Sequence, residues 1–138
     1  MLFKLPQQLK KHMFDHALET PEQEVCGLLA THMTIEDQLP VSLYRIPNIA
    51  VEPATSFYMQ PQSQIAALKT MREHGEHLCG IYHSHPRSEA LPSEQDLQEA
   101  AYPGTAYFII SLKNDEPELG SFLFTGDAFE KIELNIIP

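Results

Sequence analysis

Eleven prolines divide this 138-residue chain. Proline fixes φ and cannot donate to a helix or sheet ladder, so regular structure is confined to the segments between them. After Pro6, apolar residues recur at helical spacing. Leu5, Leu9, Met13 and Ala17 share one side, with Lys10, Lys11 and Asp15 turned outward, which predicts an amphipathic helix from Pro6 to about Leu18. Thr20-Pro21-Glu22-Gln23 breaks it, and Glu24 to Ala30 reads as a mostly buried strand with Glu24 at its mouth. A second strand is expected from Leu39 to Ile46, and a short extended piece from Ser56 to Met59. Pro61 opens a helix from Gln62 to about His74, capped by Gly75, with Ile65, Leu68 and Met71 or Arg72 facing inward.

The next strand, His77 to His85, stops at Pro86. Beyond the Pro86 to Pro92 loop, Ser93-Glu94-Gln95-Asp96-Leu97 begins a short helix. Strands are expected at Ala106 to Leu112, Leu119 to Thr125 and Ala128 to Ile137, the last two paired through the Thr125-Gly126-Asp127 turn. Strands separated by helices early and a run of strands late imply an α/β or α+β fold, a mixed β-sheet flanked by helices. With 43% hydrophobic residues and no repeat or linker, residues 1–138 read as one domain.

Nineteen acidic against nine basic side chains give a formal charge of −10, which argues against nucleic acid and anionic membranes as partners. The apolar stretches fall far short of the roughly 20 residues of a bilayer span. The lysines at positions 4, 10 and 11 interrupt anything resembling a secretory signal. Cys26 and Cys79 each precede a glycine inside an apolar run and read as buried thiols rather than a disulfide, a pattern that suits a reducing, cytoplasmic location.

The chemistry gathers at His83-Ser84-His85-Pro86. Residues two apart on a strand point to the same face, so both imidazoles face one site at a strand end. A His-x-His pair alone is a weak metal signal. Asp96, in the first turn of the helix capped by Ser93, is the natural third ligand, although Ser93-x-x-Asp96 is equally a capping box that needs no metal. Two histidines and a carboxylate leave the fourth position of a catalytic zinc for water. Such a water needs a base. Glu24 suits that role, but spacing alone does not separate it from Glu22, Glu52 or Glu89.

His83-Ser84-His85-Pro86, six residues, then Ser93-x-x-Asp96, with Glu24-x-Cys26-Gly27-Leu28-Leu29 upstream, resembles the JAMM (MPN+) family of zinc metallopeptidases, and its small prokaryotic members in particular. Gly80-Ile81-Tyr82 and Tyr107-Phe108-Ile109-Ile110-Ser111-Leu112 extend the resemblance. It implies a cytidine-deaminase-like fold, His83, His85 and Asp96 as ligands to one zinc ion with its water, Glu24 as general base, and Ser93 as the hydroxyl that helps bind the oxyanion. It further implies hydrolysis of an amide or isopeptide bond at the C-terminal tail of a small ubiquitin-like or sulfur-carrier protein. Peptidoglycan-like peptides and a non-catalytic protein-interaction role are the alternatives found on related domains.

Two other histidine patterns are decoys. His74-Gly75-Glu76 satisfies the deaminase His-x-Glu pattern but lacks the Pro-Cys-x-x-Cys partner, and reads as a helix end. His12 and His16, four apart, lack the Glu of His-Glu-x-x-His and read as a solvated helix face.

Overall fold

The computed structural model describes residues 2–32 and 39–138. Its elements are β1 (Leu2–Pro6), α1 (Gln7–Glu19), β2 (Cys26–His32), β3 (Pro40–Ile46), α2 (Pro61–Glu73), β4 (Glu76–His85), α3 (Glu94–Glu99), β5 (Ala106–Ser111), β6 (Glu118–Phe124), β7 (Phe129–Lys131) and β8 (Glu133–Ile137). Six strands form a sheet in the order β3-β2-β4-β5-β6-β7, and β1 and β8 form a separate pair. Within the large sheet only β4 and β5 run parallel, so the mixed sheet flanked by helices is as expected.

One face of that sheet presents Leu29, Tyr82, Phe108 and Ile110 to Leu9, Met13 and Ala17 of α1 and to Phe3 and Leu5 of β1. The opposite face presents Leu28, Ala30, Ile81, Tyr107 and Phe124 to Ala67 and Met71 of α2. Three expectations change in detail. Leu5 is fully buried, but in a strand, because Leu2–Pro6 pairs parallel with β8 and the helix begins only at Gln7. The expected Ala128 to Ile137 strand divides at Ile132: β7 continues the hairpin from β6, and β8 leaves the sheet to join β1. Ile65 is 67% exposed, since the buried stripe of α2 runs through Ala67 and Met71. Gly75 follows α2 at φ +70, the left-handed C-terminal geometry expected of it.

A bulge governs how β4 displays its side chains. Leu29 lies opposite Gly80 and Ala30 opposite Leu78, leaving Cys79 without a partner on β2. Leu78 and Ile81 therefore share the α2 face although three apart, while Cys79 and Tyr82 share the α1 face. Cys26 packs on the α2 face, so the two thiols lie on opposite sides of the sheet, both free and buried, and cannot bond to each other.

Tyr82 anchors this packing. Its side chain is fully buried and its hydroxyl shares a 2.7 Å hydrogen bond with Nδ1 of His16. His16 is thus no part of a solvated face, unlike the exposed His12. Burial, with Arg45 adding to it, pushes the His16 pKa down to about 4. His74 is exposed and Glu76 accepts from Ser42 and Tyr44, each at 2.7 Å, so His74-Gly75-Glu76 is a helix end followed by a structural carboxylate.

The Tyr82 ring covers Gly27 so closely that a Cβ at that position would run into ring carbons and the hydroxyl. Gly27→Ala should consequently destabilise the fold by about 1–3 kcal/mol, the usual cost of overpacking a core, measured by urea denaturation. An unchanged midpoint would mean that Tyr82 can move aside freely.

Candidate metal centre

Past the bulge, β4 keeps strict alternation, so Ser84 turns toward the α1 face and His83 and His85 toward the α2 face. Strand β2 runs antiparallel beside it with Cys26 opposite His83. The pairing continues outward through Val25 N–H to Ser84 Oγ at 2.8 Å and Ser84 N–H to the Val25 carbonyl at 3.0 Å. One step further, this register sets Glu24 beside His85.

From the other side, α3 delivers Asp96. Ser93 is its N-cap: Asp96 N–H donates to Ser93 Oγ at 3.0 Å and Ser93 N–H donates to Asp96 Oδ2 at 2.9 Å. The capping box is formed, and the same Oδ2 also stands 3.2 Å from each of His83 Nε2 and His85 Nε2. The two Nε2 atoms are 3.1 Å apart. His83 and His85 are buried and Asp96 is 12% exposed at its side chain.

These three atoms fit a divalent metal on geometry and on donor chemistry. Ligands held about 2.0–2.1 Å from a tetrahedral zinc stand roughly 3.3 Å from one another, close to the spacing of Nε2, Nε2 and Oδ2. His85 Nδ1 lies 2.8 Å from the Glu89 carbonyl, which can only accept, so that nitrogen carries a proton and, in the neutral imidazole, Nε2 keeps its lone pair. Acceptors converging on one point repel unless a cation or a proton lies among them. Among the described residues, His83, His85 and Asp96 form the one cluster of metal-ligating side chains of this closeness.

Local electrostatics follow from the same contacts. Burial lowers the pKa of His83. Burial acts in the same sense on His85, but Asp96 and the Glu89 carbonyl outweigh it and hold that pKa above its ordinary value. Burial would raise the pKa of Asp96, yet its bonds to the two imidazoles hold it far below the usual carboxylate range.

Structure separates the four candidate bases. Glu22, Glu52 and Glu89 are exposed, whereas Glu24 is 6% exposed and its Oε1 is buried with no hydrogen-bond partner among the described residues. Burial raises its pKa from 4.5 to about 8, with His85 opposing and Asp96 and Glu99 adding. Its backbone is pinned on both sides: Glu24 N–H donates to the Pro53 carbonyl at 2.7 Å and Asn48 Nδ2 donates to the Glu24 carbonyl at 2.9 Å.

Asn48 is a residue that sequence reasoning missed. Its amide also bonds Ser56, Ala50 and Tyr58, and so knits the segment after β3 into the wall of the site. Phe57 in that wall stacks on His83 with ring centroids 4.5 Å apart. Next to His83 and Asp96, a cavity of about 390 Å³ opens between Phe57, Tyr58, Tyr102 and Tyr107. The extended piece at Ser56 to Met59 supplies one side of it. No local sequence pattern marks Asn48 or Phe57, because both act across the fold.

A group whose folded pKa lies above its unfolded one stabilises the fold fully below the unfolded value, and that contribution is lost as pH rises through the folded value. Metal-free protein should therefore lose stability from about pH 4.5 to pH 8 through Glu24, and Glu24→Gln should remove that loss in thermal melts. A wild-type-minus-variant difference that stays flat across the window would mean that Glu24 is solvated.

Residues 6–125 match the family described as prokaryotic homologs of the JAB domain. A desampylase of Haloferax volcanii is 29% identical over 91% of this chain and 86% of its own. A probable TtuB-protein conjugate cleaving protease of Thermus thermophilus is 32% identical over 74% of this chain and 66% of its own. Among solved structures, a protein of Desulfitobacterium hafniense determined in solution superposes with a TM-score of 0.86 at 33% identity, covering 99% of this chain and 93% of that one. The chain thus belongs to the family of prokaryotic JAB-domain homologs, the small prokaryotic JAMM-type proteins whose motif it resembles.

Proposed function

We propose that this chain is a zinc-dependent hydrolase that cleaves an amide or isopeptide bond at the C-terminal tail of a small ubiquitin-like or sulfur-carrier protein. The observation that carries this reading is the convergence of His83 Nε2, His85 Nε2 and Asp96 Oδ2 to within 3.2 Å of one another. The relatives support the substrate class, one being a desampylase and another a probable protease for TtuB-protein conjugates.

His83, His85 and Asp96 would hold the zinc. When bound, the ion supplies a Lewis acid that lowers the pKa of a water toward about 7 and polarises the scissile carbonyl. In its carboxylate form, which a cation held nearby would favour, Glu24 takes the proton of the attacking water on its unpartnered oxygen and returns it to the leaving amine. Ser93 Oγ accepts from Asp96 N–H, which leaves its own O–H to donate to the developing oxyanion. Because Glu24 activates water directly, no covalent acyl-enzyme forms. The cavity beside His83 and Asp96, apolar on most of its wall, suits an extended peptide segment.

Among the described residues, no helix is long and apolar enough to cross a membrane. The two free, buried thiols are in keeping with a reducing compartment, and the proposed location is the cytoplasm.

Mass spectrometry of small ubiquitin-like proteins with C-terminal extensions, incubated with zinc-loaded protein, tests the reading. Wild type should cleave at the tail, a chelator should abolish cleavage until zinc is restored, and Glu24→Gln should retain zinc while losing about 10²-fold or more in rate. Turnover that survives chelation would remove zinc from the reaction. One bound zinc with no cleavage by either protein would point to other amide substrates or a binding role.

A further inference from the structure

Between His85 and Ser93 the chain leaves the sheet, and its path there determines where His85 points. Three successive carbonyls of that segment are each engaged by a different part of the fold. The Ser88 carbonyl accepts from Ser111 Oγ at 2.6 Å, the Glu89 carbonyl accepts from His85 Nδ1 at 2.8 Å, and the Ala90 carbonyl rests on Gly120 where any Cβ would collide with it.

The Ser88 contact comes from the hydroxyl of Ser111. It lies on β5 opposite His85 in the parallel register, and Leu112 N–H donates to the His85 carbonyl at 3.0 Å. Its side chain is 2% exposed, and Oγ accepts from Lys113 N–H at 3.2 Å, which leaves its O–H to donate to Ser88. By comparison, the ion pair from Lys113 to the Glu89 side chain is long, at 3.7 Å, and half exposed, so it contributes little to holding the segment.

We infer that Ser111 is a positioning residue: its hydroxyl holds Ser88, and thereby the Glu89 carbonyl, at the height that orients His85 toward His83 and Asp96. Without that bond the segment loses its hydrogen bond to the Ser111 side chain and the Glu89 carbonyl can drift, releasing the His85 ring to turn about its χ angles. The inference rests on the zinc reading above, and it predicts an effect on metal affinity rather than only on folding.

The test compares zinc affinity, by competition with a chromophoric chelator, and thermal stability of metal-free protein. The proteins are wild type, Ser111→Ala, Ser111→Thr and Ser121→Ala. Ser121 is a fair control, being 5% exposed and donating at 2.9 Å to the Ile132 carbonyl, away from the metal cluster. Ser111→Ala should weaken zinc binding by about tenfold or more, as loss of groups supporting a ligand does. Ser111→Thr, which retains the hydroxyl, should recover most of it, and Ser121→Ala should lose stability with zinc affinity unchanged. If Ser111→Ala does not fold, Ser111→Cys, of similar size with a weaker donor, makes the same comparison. Tight zinc binding in wild type with equal affinity in Ser111→Ala, or in Ser111→Cys where that variant stands in for it, would overturn the inference alone. So would equal losses in Ser111→Ala and Ser121→Ala. Failure of wild type itself to bind zinc would overturn the zinc reading and this inference with it.

Discussion

The site depends on the antiparallel pairing of β2 with β4 in one register. With Cys26 opposite His83, the two hydrogen bonds between Val25 and Ser84 carry the pairing to the ends of both strands and set Glu24 beside His85. A slip of one residue would turn His83 and His85 into the α1 core, where Tyr82 and Ser84 now lie. The register is secured by shape: Gly27 admits the Tyr82 ring, and the Tyr82 hydroxyl reaches His16 on α1. A packing contact on one face of the sheet therefore determines what the other face can bind.

The bulge at Cys79 gives β4 two different tasks. Before it, the strand covers α2 with Leu78; after it, Ile81, His83 and His85 line the same side in simple alternation. The imidazoles emerge at the strand end, with Phe57 stacked on one and the Glu89 carbonyl fixing the other. Each of these contacts limits a rotation that a free histidine would have, and limited rotation holds Nε2 of both rings close to Asp96 Oδ2.

Economy of residues is evident in α3. Asp96 Oδ2 accepts from Ser93 N–H, as a capping box requires, and turns the same oxygen toward the histidines. The helix has only six residues and buries none of them, so the cap is what places its first turn. Helix cap and metal ligand were both open from spacing alone, and in the structure one oxygen of Asp96 makes the cap bond while facing both imidazoles.

Local pattern was enough for much of this protein. The alternation of His83 and His85, the stop at Pro86, the cap at Ser93 and the buried stripes of most elements are properties of segments of ten residues or fewer, and they appear in the structure where the sequence places them. The strand at Leu2–Pro6 was not legible, because its partner β8 lies at the opposite end of the chain and five residues carry too little periodicity to show it. The same reason hides the roles of Asn48, Phe57 and Ser111, whose effects pass through contacts with distant segments. Glu24 could not be told from Glu22, Glu52 or Glu89 by spacing, since all are carboxylates near segment ends. Burial, which exists only once β2 and β4 have paired, singles it out. Sequence by itself determined which side chains could bind a metal, because ligand chemistry belongs to residue type. Tertiary structure decided which of them meet and which carboxylate loses its water, because distance and solvation belong to the folded chain.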